Sequence, residues 1–182
     1  MFIQDGTGKG RMAKVNVDNM VHVYSVTNPR FADAAARHSL AFSWSNVTYD
    51  YTALDTILLV KNEDPDRLLR VGPIWISGDS ATEFIIHCPV VATPTGTAIV
   101  GVNLDRRSNN VAKATAIGDE TTNTQANVIH RGRGIANFAY NIDFQGALVL
   151  GEDDCVGVDL VAEGGAAVVT ILGYYQSNDL DY

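Results

Sequence analysis

Two cysteines in 182 residues, Cys88 and Cys155, are too few and too far apart for a disulfide framework. They form no Cys-x-x-Cys redox or zinc spacing either, and a reducing compartment is the simpler expectation. Positive charge is scarce: 13 Lys and Arg stand against 21 Asp and Glu, giving a net charge of -8 and a pI near 4.8. That balance excludes a nucleic-acid surface spread over the whole molecule and favours solubility. Long apolar runs are missing, so no segment has the about 20 residues of a membrane-spanning helix. The opening MFIQDGTGKGRM lacks the apolar core of a signal peptide. A soluble protein assembled in a cytoplasm, with no membrane and no nucleic acid among its partners, is expected.

What the chain does have is 46% hydrophobic and 19% charged residues, the balance of an ordinary globular protein. Its length suits a single domain that buries roughly 70% of the surface its unfolded form exposes. Residues 1–11, polar and rich in glycine (Gly6, Gly8, Gly10), predict a flexible N-terminal arm ahead of one domain over 12–182. Phe31–Arg37 is the one helix candidate, with Asn28 as N-cap and Pro29 at the first helical position.

Strand signals dominate from Ser39 onward. Leu40, Phe42 and Trp44 alternate with polar or small residues, and Thr48–Thr52 continues in the same style. Thr56–Lys61 is a continuous apolar run ended by the turn cluster Asn62–Asp66. Arg70–Ser77 is another, in which Pro73 points to an edge or a bulge. Glu83–Val91 and Thr97–Leu104 follow, the latter with Ala98, Val100, Val102 and Leu104 aligned. Residues 105–137 are polar, with Val111–Ile117 as a weak strand candidate, and predict a contact-making loop. Ala147–Leu150, Cys155–Ala162 and Ala166–Tyr175 close the chain as the cleanest strands. Short strands punctuated every ten residues or so predict an all-β antiparallel sandwich or barrel. In the last strand Ala167, Val169 and Ile171 form one apolar face, and Val168 and Leu172 make the other apolar too. One sandwich core covers one face, so the second calls for a partner subunit or for coverage by 105–137.

Chemistry is harder to find. Gly6-Thr-Gly-Lys9-Gly lacks the spacing and the hydroxyl of a phosphate loop. His22, His38, His87 and His130 are scattered and predict no metal site. His87 and Cys88 are adjacent, which sends their side chains to opposite faces of a strand. Glu152, Asp153 and Asp154 read as a solvated hairpin tip, with calcium ligation as the sharper alternative. Asn46-Val-Thr48 is a glycosylation sequon without a secretory signal, and His130, Arg131 and Arg133 form a small basic cluster. A sugar-active enzyme needs paired carboxylates, and Asp143 with Asp159 has no spacing to recommend it. No catalytic residue, cofactor or metal is expected.

Several phrases bear a family likeness. Phe2-Ile-Gln-Asp-Gly-Thr-Gly, Ala41-Phe-Ser-Trp-Ser, Thr48-Tyr-Asp-Tyr-Thr-Ala53 and Asp55-Thr-Ile-Leu-Leu-Val-Lys-Asn62 resemble virion structural proteins of tailed bacteriophages. Ile76-Ser-Gly-Asp79, Gly96–Asn103 and Gly146–Tyr174 extend the resemblance over most of the chain. It implies a small jelly-roll sandwich, a homotrimer on the capsid exterior that acts as a head decoration (cement) protein. The implied partners are further copies of itself and the major capsid protein, with assembly in the host bacterial cytoplasm. Within that reading, Phe2, Ile3, Lys9 and Arg11 are expected to contact the capsid, and Val168, Leu172 and Tyr174 to form the oligomer interface. The rival reading is the receptor- or glycan-binding head of a fibre, using Trp44, Tyr49, Tyr51 or Trp75, all four of which also fit core positions.

Overall fold

Period-two alternation becomes strand almost wherever it occurs. The computed structural model describes residues 2–4, 12–14, 34–35, 38–46, 49–51, 56–90, 93–120, 126–161 and 165–177. These form β1 (Phe2–Gln4), β2 (Met12–Lys14), β3 (Ala41–Ser45), β4 (Tyr49–Tyr51), β5 (Thr56–Asn62), β6 (Arg67–Gly78) and β7 (Glu83–His87). They continue as β8 (Thr97–Ile99), β9 (Val102–Asn103), β10 (Ala114–Glu120), β11 (Val128–Arg133), β12 (Ala139–Leu150), β13 (Cys155–Leu160) and β14 (Gly165–Ser177). Of the helix expected at 31–37, Ala34 and Ala35 are helical and the other residues lie outside the described ones.

All pairing is antiparallel, as expected. One sheet runs β11-β7-β13-β5-β10-β8, and the other runs β12-β6-β14-β3-β9, with β4 also paired to β14. Eight of the strands pair in a nested way: β3 with β14, β5 with β13, β6 with β12 and β7 with β11. The chain is thus one long antiparallel ribbon of four strand pairs, wound so that successive pairs alternate between sheets. Folding the ribbon over brings the apolar faces together, and the result is an all-β sandwich.

The core lies between the sheets. Phe42, Trp44, Leu58, Val60, Ile74, Ile86, Val158 and Val169 are among its fully buried members. Phe42 anchors it, 6.1 Å from the Trp44 ring and 5.7 Å edge-on from Tyr175. Every residue of β5 is buried, which fits a continuous apolar run. Leu59 and Ile85, on the far side of that sheet, are as buried as its core-facing residues. Pro73 marks a bulge, as expected: the β6–β12 and β6–β14 ladders both change register beside it. A proline has no N–H to give either neighbour, so the pairing slips there.

Three expectations need correction or restatement. Phe2 and Ile3 of the expected flexible arm lie in β1, paired with β2, while Lys9 and Arg11 fall outside the described residues. The stretch 105–137 is not a loop, because it contains β10 and β11. Its small residues, such as Ala114, Ala116 and Gly118, pack against β5 without the bulky alternation that announces a strand. The strand expected over Thr97–Leu104 splits at Val100-Gly101 into β8 and β9, which join different sheets. Gly101 lies flat on Trp44, where a Cβ would come within 2.5 Å of the indole nitrogen.

Candidate functional site

The buried titratable side chains hold turns and strands together. His87 and Asp159 face each other from β7 and β13, fully buried, with Nε2 2.8 Å from Oδ1. Gly157 leaves the room for this pair, since a Cβ there would sit 2.9 Å from His87 Nε2. Cys88 packs on the core side while His87 faces Asp159, as strand alternation requires. Burial pushes the Cys88 thiol up, and Asp154 adds to the effect, so it is a poor nucleophile. Cys88 and Cys155 form no disulfide and line one small cleft with Asn127, Leu150 and Asp154.

The acidic tip is occupied internally. Asp153 Oδ1 meets Lys61 Nζ at 2.8 Å, and Asp154 Oδ2 accepts from the Gly151 amide at 2.8 Å. Among the described residues no three His, Cys, Asp or Glu side chains converge as a metal site does. Asp143, exposed on β12, accepts from the Gln145 amide and lies in the opposite sheet from Asp159, so the two do not form a carboxylate pair. Asn46 is buried, donating to Ala167 O and accepting from Val169 N at 2.5 Å, which takes the sequon amide out of solvent.

The aromatics separate cleanly. Trp44 is core, Tyr49 and Tyr51 lie in β4, and Trp75 is 45% exposed on the outer face of β6. Trp75 therefore corrects the core reading of that position. Register places it in a row: Asn141, Trp75, Thr170 and Ser45 stand side by side across four strands. Next to that row, Leu172, Ser43 and Val102 align, and on its other side Val168 sits beside Ser77. Ser45 Oγ and Thr170 Oγ1 share a hydrogen bond of 2.9 Å. Among the described residues from Pro73 to Ser77 and across to Val102, the one charge on this face is Asp143, at its edge.

Val168 and Leu172 are half-buried on this surface. Tyr174 has the same strand parity but is buried against the chain's own Ala34 and Ala41. Ala34, Ala35 and Ala41 thus pack over the lower part of β14, and the strands of 105–137 belong to the opposite sheet. Between β7 and β11, Val100 and Val111 are 83% and 77% exposed. Ser43, Ser45 and Trp75 are out of phase with Phe42, Trp44, Ile74 and Ile76, a period legible in β3 but masked in β6 by the apolar run around Trp75.

No protein-family model matches this chain, and no curated protein or solved structure matches it.

Proposed function

We propose that this chain is a non-catalytic structural module of a virus particle. In this reading it is a jelly-roll decoration (cement) protein, bound as a homotrimer to the major capsid protein on the outside of a tailed-phage head. The observation that carries the reading is the charge-poor outer face of Trp75, Val168, Leu172 and Val102, on a molecule of net charge -8. Acidic copies repel one another over most of their surface and approach best across such a face. The strand orders β3-β14-β6-β12 and β5-β13-β7-β11 support the jelly-roll assignment, because two interlocked Greek keys give this arrangement. The resemblance of the quoted sequence phrases to phage virion proteins supports the location.

Mechanically, each trimer adds interface where capsomers meet and opposes the outward pressure of packaged DNA. Three weak contacts on one rigid body add through effective concentration, so a modest single contact gives durable attachment. Phe2 and Ile3, with Lys9 and Arg11, are the capsid-contacting residues in this scheme. An electron-microscopy reconstruction of the particle is the test. Trimeric density at capsomer junctions, with residues 1–14 against the capsid, is expected, whereas density confined to the tail sinks the decoration role.

One observation favours a second reading, the glycan-binding head of a fibre. Trp75 is exposed beside Asn141, Thr170 and Ser45, an aromatic platform flanked by hydrogen-bonding groups. Selective binding on a glycan array, abolished by Trp75→Ala, is the result that favours it.

A further inference from the structure

The sandwich is closed on one flank and open on the other. Beside β3 and β5, the insertion between β7 and β11 adds β10 and β8 to one sheet and β9 to the other. Asn103 and Asp105 tie that insertion to Ser39, at 2.9 and 2.7 Å. On the opposite flank the edge strands are β11 and β12, and among the described residues no strand lies beyond them. β11 therefore ends its sheet with a row of backbone N–H and C=O groups that face no neighbouring strand.

Register divides the side chains of β11 between two faces. His130 and Gly132 lie beside Ile86 and Phe84 on the core side, whereas Arg131 and Arg133 lie beside Ile85 and Glu83 on the far side. A Cβ at Gly132 would come within 2.2 Å of the Phe84 ring, so the glycine lets that ring lie across β11 and stack 5.9 Å from His130. Where β11 turns towards β12, Ile135 and Phe138 are 66% and 57% exposed, and they line an apolar cleft with Phe84, Tyr140 and Leu160. The far side is cationic. Arg131 and Arg133 are both exposed; Arg131 shares Glu83 at 3.0 Å, and Arg133 has no carboxylate partner among the described residues. On a chain of net charge -8, positive charge thus stands at a bare sheet edge beside uncovered apolar side chains. Arginines can guard an edge against pairing, but a guard gives no reason for Ile135 and Phe138 to stay uncovered next to it.

We propose that β11 is a docking edge for an extended acidic segment of a partner protein, which adds to the sheet as a further strand. Carboxylates two residues apart in that segment pair across the strands with Arg131 and Arg133. The apolar side chains that alternate with them point to the other face, where they cover His130 and enter the cleft of Ile135 and Phe138. Strand addition supplies both sets of contacts at once, because successive side chains of a strand face opposite sides. The contact is separate from the Trp75 face and does not rest on the virion reading.

Synthetic peptides test it on the full-length protein. The probe is a short labelled peptide of alternating aspartate and leucine, titrated to about 1 mM by fluorescence anisotropy, with amide exchange followed by NMR. Wild type is expected to bind it with exchange slowed at alternate amides of β11. Arg131→Asp/Arg133→Asp is expected to bind it about 10- to 100-fold more weakly, since two favourable pairs become repulsive. The same variant is expected to show β11 protection with the lysine–leucine counterpart instead, a gain that a damaged fold does not produce. Methylating the peptide's backbone nitrogens along one edge is expected to abolish binding, and methylating the other edge to leave it. Protection away from β11, or equal binding of both methylated peptides, overturns strand addition. A wild type that does not bind the aspartate–leucine peptide leaves the arginines as edge guards and overturns the docking.

Discussion

At the scale of single residues, polar side chains hold this fold's turns together, and Asn62 is the clearest case. It is fully buried at the end of β5, with Nδ2 donating towards the carbonyls of Arg67, Leu150 and Gly151 at 3.1, 3.1 and 3.2 Å. Its Oδ1 accepts from the Asp64 amide, and its backbone pairs with Asp153 and Asp154. One amide thereby joins the 62–67 turn to the 150–155 turn. Asp64 extends the system, lying buried with Arg67 Nε at 2.6 Å and Lys113 Nζ at 3.6 Å. Burial pushes its carboxyl up, but the Asp66 amide, Arg67 and Lys113 outweigh that and hold it below the usual carboxylate range. A carboxyl whose folded pKa is depressed stabilises the protein above its unfolded pKa, about 3.9, and loses that contribution as pH falls through the lower folded value. Asp64→Asn is therefore expected to be less stable than wild type at pH 7 and to show a shallower acid limb below about pH 4. Urea midpoints measured from pH 7 to pH 2 check this, and parallel curves for the two proteins refute it. The sequence marked Asn62–Asp66 as a turn from its composition. It held no sign that a second turn, 88 residues away, hangs on the same amide.

At the scale of elements, strands with bulky alternation were legible and those built from small residues were not. Thr56–Lys61 and Cys155–Ala162 correspond closely to β5 and β13, the first announced by a continuous apolar run of strand length and the second by Val156, Val158 and Leu160 alternating with Gly157 and Asp159. β10 was marked only weakly, through Val111–Ile117, because Ala, Thr and Gly fill most of its positions, and β11 was missed because His130, Arg131, Gly132 and Arg133 read as a polar stretch. Pairing was not legible at all, since β3 meets β14 across more than a hundred residues. The insertion behaves as a unit clasped at one end. Asp105 Oδ2 accepts from Ser39 Oγ, and its Oδ1 accepts from Arg107. The Arg107 side chain, then Ser39 and the Arg107 amide, hold the Asp105 carboxyl down at about 2. The clasp thus keeps its charge through nearly all of the acid range. Asp105→Ala is expected to raise amide exchange across 97–110 by about tenfold while β6 and β14 keep wild-type protection, as local opening does. Uniformly faster exchange, or none, counts against the insertion as a separately anchored unit.

At the scale of the whole molecule, the two faces of the β12-β6-β14-β3-β9 sheet follow different rules. The inner face is core, where Ile74, Ile76, Val169 and Ile171 are buried. The outer face has serine, threonine and asparagine around Trp75, Leu172 and Val168, too apolar for ordinary solvated surface and too poor in charge for an acidic protein. The sequence supplied half of this, because Val168 and Leu172 stood out on an otherwise complete strand. Trp75 did not, since a tryptophan among Ile, Val and Pro reads as core until the register is known. If copies meet here, the centre of the contact is the Trp75–Leu172 row, where buried aromatic anchors typically contribute about 2 kcal/mol or more. Leu172→Glu then places a carboxylate in a desolvated contact and is expected to yield a monomer throughout the micromolar range. Trp75→Ala is expected to weaken association by about 30-fold, the factor that 2 kcal/mol represents. Both positions face outward, so thermal unfolding of the dissociated protein is expected to stay close to wild type. Sedimentation and calorimetry on the same samples separate the outcomes. Lost assembly with an intact fold supports the oligomer face. Intact assembly with lost glycan binding in Trp75→Ala assigns the tryptophan to sugar recognition instead. A fold that collapses in both variants makes the face an unrecognised part of the core.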